Sequence, residues 1–236
     1  MAGRLILVAG PIGNLGDISA RALEEIRACD AVIAEDSRVT GRLLTHFDAK
    51  KPLLVLNEHA SPQHIEKIVL ALKEGQSLCL LTDAGAPGIS DPGAELVDLL
   101  SEHHPDFEID CIPGASAVTT ALGLSGFYAQ RFAFLGFLPR KPGPIKEILS
   151  DFVDSSMTLV LFESPHRWSK VLTSAQEVLG PRRVAICREL TKLHQQVWRG
   201  TLDNLPNEKE VPNKGEFTIV IEGYRKRKGN PDFDRE

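Results

Sequence analysis

Twelve consecutive residues stand out for the chemistry their types allow: Thr82-Asp83-Ala84-Gly85-Ala86-Pro87-Gly88-Ile89-Ser90-Asp91-Pro92-Gly93, with three glycines, two prolines and two aspartates. They lie between an apolar run and a helix-like stretch. Glycines at the carboxyl end of a strand let the backbone approach a ligand closely, and exposed N–H groups can read it. The alternative is a tight connection in which Asp91 caps the next helix, but the stretch is longer than a connection needs. A second small-residue turn, Pro113-Gly114-Ala115-Ser116-Ala117, leaves room for a flat group such as adenine. The first apolar run ends in Gly10-Pro11-Ile12-Gly13-Asn14-Leu15-Gly16-Asp17, whose G-x-x-G-x-x-G spacing is not the dinucleotide fingerprint. No Walker A sequence occurs, so nicotinamide and ATP chemistry fit poorly.

Polar clusters follow other predicted strands: Glu35-Asp36-Ser37-Arg38, Asn57-Glu58-His59, Glu163-Ser164-Pro165-His166-Arg167 and Arg188-Glu189-Leu190-Thr191-Lys192. Any one alone reads as a solvated loop or a cap; four at strand ends suggest a polar cleft. His59 and His166 have no metal-ligand spacing, so no metal is expected. No nucleophile elbow or triad is recognisable, and covalent catalysis is not indicated. Cys29, Cys79, Cys111 and Cys187 form no C-x-x-C pair and sit by apolar stretches, predicting buried thiols in a reducing cytoplasm.

Positioning these residues requires a regular scaffold. Apolar runs at residues 5–9, 31–34, 53–56, 77–81 and 107–112 read as strands. Helix-like stretches at 18–29, capped by Asp17, at about 61–74, opened by Ser61-Pro62, and at 93–103 lie among them. Continuous apolar strands in a βαβα rhythm predict a parallel sheet covered on both faces. A helix at 115–124 follows, then strands at 132–135, 157–162 and 184–187, a basic Gly/Pro loop over 136–144, and a helix over 166–179. Late strands at 196–200 and 217–222 are expected to be antiparallel, because their connections are too short for crossovers. The expected domains are residues 1–116 and 117–223, followed by a polar, mobile tail over 224–236.

With 236 residues, 42% hydrophobic and 25% charged, the composition is that of a globular protein. No apolar window approaches a membrane span, and the start of the chain predicts no signal peptide. The net charge of −5 argues against nucleic acid when taken as a whole, but it is unevenly spread. Residues 1–130 carry 9 Lys and Arg against 18 Asp and Glu, whereas residues 131–199 carry 11 against 6. The positive stretch, with Arg140 and Lys141 in its loop, reads either as a chance partition of solvated faces or as an RNA footprint confined to the second half.

Seven segments occur in an order that resembles a known family: 8–17, 34–38, 83–93, 113–117, 163–167, 188–192 and 214–217. Over about residues 5–223 the chain is similar to the bacterial 16S rRNA (cytidine-2′-O)-methyltransferase I family, in the tetrapyrrole methylase superfamily. The resemblance implies two α/β domains, the first mainly parallel and the second mixed, with S-adenosyl-L-methionine in the cleft between them. It also implies a homodimer that acts on 16S rRNA of the small ribosomal subunit, at a cytidine in the decoding region. Its cofactor contacts carry over to Gly10 and Pro11, to Gly85, Ala86, Pro87 and Ile89, to Ser116 and Ala117, and to Phe162, Arg188, Glu216 and Thr218. Gly10 and Ala86 stand where this group often carries threonine, so any hydroxyl contact there is lost.

Methyl transfer to a ribose hydroxyl needs an aligned acceptor and a base. Clustering at strand ends nominates Glu35, Asp36, Glu163 or His166 as that base. It nominates Arg38, Arg167 and Lys192, with Arg140 and Lys141, for the phosphates of the substrate. Two other readings remain open at this point: porphyrinoid C-methylation, which wants an apolar trough, and a non-catalytic RNA-binding assembly factor.

Overall fold

A computed structural model describes residues 3–57 and 60–225. The chain divides into two compact units at the Ala117/Val118 junction. In the first, β1 (Arg4–Val8), β2 (Ala31–Ala34), β3 (Leu53–Val55), β4 (Ser77–Leu81) and β5 (Glu108–Ile112) form a parallel sheet in the order β3-β2-β4-β1-β5. Side chains alternate across each strand, so both faces are apolar. Leu5, Ile33, Leu78 and Leu80 pack with α3 (Pro62–Lys73) and α4 (Ala94–His103) on one face. Ile6, Val32, Cys79 and Leu81 pack with α1 (Ala20–Ala28) and α2 (Ser37–His46) on the other.

The second unit opens with α5 (Ala117–Ser125), whose first residue is the last of the first unit. Its sheet has the order β6-β7-β10-β8-β9, from β6 (Phe132–Phe137), β7 (Thr158–Glu163), β8 (Arg183–Arg188), β9 (Gln196–Thr201) and β10 (Phe217–Ile221). Only β6 and β7 are parallel; β10 runs antiparallel to β7 and β8, and β9 to β8. One face is covered by α6 (Pro142–Ser150) and α7 (Trp168–Leu179) around Leu149, Leu161, Trp168, Leu172, Ile186 and Ile219. The fold is thus two α/β layers built on a parallel and a mixed sheet. No helix among the described residues is long and apolar enough to cross a membrane.

Several local expectations are corrected. Ser19, not Asp17, caps α1, because its side chain accepts from the Ala22 N–H. Asp17 ends a short 3-10 turn instead. The Ser61 hydroxyl pairs with His64 Nδ1 rather than a backbone N–H. Helix α2 was not legible, since only Thr40 and Leu44 of its residues are buried and its apolar stripe is thin. The 136–144 segment is not one loop: β6 continues to Phe137 and α6 opens at Pro142. Proline at the first turn of a helix loses nothing, because that N–H has no intrahelical partner. Cys111 is exposed, unlike the other three cysteines, because β5 is an edge strand. Tyr224, placed in a mobile tail by the sequence, is held by a 2.7 Å bond from its N–H to the Ser155 carbonyl. The rest of that tail beyond Arg225 lies outside the described residues, as do Glu58 and His59.

Candidate functional site

In the first unit the chain leaves β2 toward β3 and leaves the neighbouring β4 toward β5, so the connections diverge between adjacent strands. Ligands of open α/β sheets bind outside the carboxyl ends of strands at such a point. The 82–93 loop follows β4 and takes left-handed backbone at Gly85, Gly88 and Gly93 (φ 80°, 81° and 127°) and at Ser90 (φ 57°). The Gly10 N–H donates to the Gly85 carbonyl at 2.8 Å, tying the turn after β1 to the loop after β4. A Cβ on Gly85 would stand 3.3 Å from the Ile12 methyl, whereas one on Gly10 would meet nothing nearer than 3.9 Å. The turn after β5 closes as tightly: a Cβ on Gly114 would lie 3.0 Å from that of Ala9. Ser116 and Ala117 complete that turn and start α5.

Carboxylates gather beside this loop. Glu35 Oε2 accepts from the Asp83 N–H at 3.2 Å, and Asp83 Oδ1 accepts from the Asp36 N–H at 3.3 Å. Asp36 caps α2 through the Arg38 N–H and receives the Arg38 guanidinium at 3.1 and 2.6 Å. That pairing holds the Asp36 carboxyl far below the usual carboxylate range, which makes it a weak base. Arg38 is correspondingly engaged by Asp36, though its side chain is 84% exposed.

Asp91 behaves oppositely. Burial, then the charges of Glu35 and Asp83, push it up to about 6. The buried Thr82 hydroxyl acts in the other direction and lowers the value without outweighing burial. Asp91 does not cap α4, whose N-cap is Gly93. Its folded pKa lies above the unperturbed 3.8, so the native state binds the extra proton between those values. Stability is therefore lower above pH 6 and is regained as pH falls toward 4. Asp91→Asn is expected to raise stability at pH 8 by on the order of 2 kcal/mol, with the advantage gone near pH 4. Thermal unfolding of both proteins across that range checks it.

In the second unit β7 and β8 end, and β10 begins, at one edge, with Phe217 opposite both Glu163 and Arg188. The Glu163 side chain is fully buried, and its Oε2 lies 3.1 Å from Arg167 without a hydrogen bond. Arg167 Nη2 also donates to the Leu138 and Pro139 carbonyls at 2.9 and 2.8 Å. His166 beside them is exposed. Glu189 (φ 52°) accepts from the Glu216 N–H at 3.0 Å, and Lys192 reaches Glu189 and Glu216 at 3.3 and 3.0 Å. Burial lowers the Lys192 pKa, but hydrogen bonds and charge from both glutamates outweigh it and raise the value. Arg188 donates to the Lys214 carbonyl at 3.1 Å. Gly215 (φ 93°) is required here, because a Cβ would lie 2.6 Å from the Glu189 side chain.

The structure therefore brings Gly10, Pro11, Gly85, Ala86, Pro87, Ile89, Ser116 and Ala117 together at the edge of one sheet, with Glu35, Asp36 and Arg38 beside them. It brings Glu163, Arg167, Arg188, Lys192 and Glu216 to the edge of the other. Phe162 and Thr218 face each other across β7 and β10, and the Phe162 ring packs on Phe134 and Phe137 at 4.9 and 5.6 Å. Arg140 and Lys141 are exposed at the start of α6. Much of the positive stretch is engaged internally: besides Arg167 and Lys192, Lys146 pairs with Glu177, Arg183 with Glu222, and Arg199 with the Leu124 and Ser125 carbonyls. Asp91 and Glu189 join the two groups although the sequence nominated neither. The signal for Asp91 was a second acid inside a glycine-rich loop.

A model of the tetrapyrrole (corrin/porphyrin) methylases matches residues 4–206. A protein of Synechocystis sp. named ribosomal RNA small subunit methyltransferase I is 42% identical, over 99% of this chain and 84% of that protein. A Thermotoga maritima protein of the same name is 43% identical over 94% of this chain and 99% of its own length. Among solved structures, the methyltransferase CobJ superposes with a TM-score of 0.70 at 14% identity, covering 94% of this chain and 95% of its own. The cobalt precorrin-4 methyltransferase CbiF gives 0.66 at 20% identity, covering 93% and 94%. These two show likeness of fold.

Proposed function

Because this chain belongs to the tetrapyrrole methylase family, with the ribosomal RNA small subunit methyltransferase I group, we propose that it methylates 16S rRNA. The acceptor in this reading is the 2′-hydroxyl of a cytidine in the decoding region, the donor is S-adenosyl-L-methionine, and the active form is a cytoplasmic homodimer. The observation that carries it is the 82–93 loop. Its left-handed glycines bring backbone without side chains to the divergence of β2 and β4, and three carboxylates, Glu35, Asp83 and Asp91, stand beside them.

Those residues fit the donor. Gly85 lets the 82–93 loop pack against Ile12 and the Ala115 carbonyl, where a Cβ would crowd them, and the carboxylates complement a cationic centre. Gly10, Pro11, Gly85, Ala86, Pro87 and Ile89, with Ser116 and Ala117, would hold it. When bound, it supplies a methyl group on a positively charged sulfur. The chain's own part is to align the ribose oxygen, exclude water and remove a proton. Asp91, titrating near 6, is matched to accept the hydroxyl proton near neutrality, with Glu35, Glu163 and His166 as the remaining bases and Asp36 least suited. Arg140 and Lys141 are the cations best placed to meet phosphates, because both are exposed; Arg38, Arg167 and Lys192 would have to exchange present partners.

The exposed cations Arg140 and Lys141 favour a phosphate-bearing substrate over an apolar macrocycle. The test is labelled donor with small subunits from a strain lacking the modification, followed by mapping of the methylated ribose. A 2′-O-methylcytidine in the decoding region is expected, with a single-turnover rate reduced at least about tenfold by Asp91→Asn. Absence of label in rRNA, or label on a base, rejects the reading.

A further inference from the structure

The opposite edge of the second sheet carries a cavity that plays no part in the site above. β8 spans Arg183 to Arg188, so its first residue is about 17 Å from the Arg188 edge. There a space of about 560 Å³ is lined by Pro181, Arg182, Arg183, Glu222, Tyr224 and Arg225. Three guanidinium groups lie over three rings: Arg182 over Tyr224 at 5.9 Å, Arg183 over Phe127 at 4.8 Å, and Arg225 over Tyr128 at 5.4 Å. Tyr128 and Tyr224 are 53% and 40% exposed, so both present ring surface to solvent.

Charge and geometry in the cavity agree. Glu222 pairs with Arg183 at 2.7 and 2.6 Å and with Arg225 at 3.0 Å, and Asp154 acts on Arg182. Three cations against two carboxylates leave the cavity positive. Arg182 is 8% exposed; its Nη2 donates to the Phe152 and Val153 carbonyls, but its Nε is buried without a partner. An unpaired buried donor calls for an acceptor that arrives with a ligand or water. The rings are also held in place. The Tyr224 N–H is bound to Ser155, and at Gly223 a Cβ would lie 2.1 Å from the Ser156 carbonyl oxygen, so only glycine lets the chain run against that segment.

Guanidinium groups interleaved with exposed rings suit a single-stranded nucleic acid: phosphates meet the cations and unpaired bases stack on the rings. A duplex hides its base faces and cannot use them. We propose that this cavity is a second RNA contact, which takes unpaired nucleotides flanking the one presented for methylation. The inference rests on the RNA reading above.

The test is fluorescence anisotropy with the full chain and a short labelled single strand of small-subunit sequence, its duplex, and vesicles of phosphatidylcholine with phosphatidylglycerol. Tyr128→Ala combined with Tyr224→Ala is expected to weaken single-strand binding about tenfold or more. Arg225→Gln is expected to weaken it several-fold and reduce the salt slope by about 0.7. Tyr224→Phe, which keeps the ring, is expected to bind as wild type, and donor binding by calorimetry is expected to be unchanged in all. Equal single-strand affinity in the double variant, or duplex or vesicles bound as tightly with the same sensitivity to the variants, overturns the proposal. If wild type methylates rRNA while the variants bind RNA normally, only this inference fails. If the variants lose RNA binding but wild type methylates nothing, this inference stands and the proposed reaction fails.

Discussion

Gly85→Val is expected to lower the affinity for S-adenosyl-L-methionine at least about tenfold, which is about 1.4 kcal/mol, while Gly10→Thr is expected to stay within about twofold of wild type. The two glycines are joined by one hydrogen bond, Gly10 N–H to the Gly85 carbonyl, yet their surroundings differ. Gly85 sits at φ 80° with Ile12 3.3 Å from where a Cβ would be. A β-branched side chain there meets both left-handed strain and a wall, and the loop has to rebuild. Gly10 has no left-handed φ and open space on the side a Cβ would take, so a threonine is accommodated there. Calorimetric titration of the donor into each variant decides the matter. Equal loss in both would mean that the 82–93 loop is not what holds the donor.

Trp168→Ala is expected to cost about 3–5 kcal/mol and to lower the melting of the second unit by about 10 °C or more. Trp168 is 1% exposed, stacks on Phe217 at 5.8 Å and 14°, and donates its Nε1–H to Asn213 Oδ1 at 2.7 Å. Truncation leaves a cavity, an Asn213 Oδ1 without its indole donor and an unsupported Phe217. The consequence reaches the site, because Phe217 is the residue opposite both Glu163 and Arg188, and Arg167 is the N-cap of the helix that Trp168 opens. Trp168→Phe is expected to recover most of the lost stability but not the Asn213 bond. Thermal melts followed by circular dichroism check both; an alanine variant that melts as wild type would show that this core relaxes around the gap.

The strands were legible because burial on both faces leaves a local mark: continuous apolar runs at 5–9, 31–34 and 77–81 need no knowledge of their neighbours. Helix α2 left none, having a thin apolar stripe and a glycine at position 41. Helix α6 was hidden by the two prolines and the glycine of its first turn, which mark loops elsewhere but are harmless where an N–H has no partner. Glycines flagged the 82–93 loop as a candidate ligand contact from composition alone. The state of its acids was not legible, because Asp91 is raised first by burial that no local pattern encodes and then by Glu35, which is 56 positions away in the chain.

The sequence by itself determined the family, the two α/β layers and the segments that stand at strand ends, since motif order and apolar periodicity are properties of the chain. Only the tertiary structure decided which charges remain available. Asp36 and Arg38 take each other, Arg167 is committed to Glu163 and two carbonyls, and Lys192 to two glutamates, while Arg140 and Lys141 stay exposed. The physical reason is range. Hydrophobic burial follows residue type and spacing along the chain, whereas a charge is set by whatever the fold brings within a few ångströms of it.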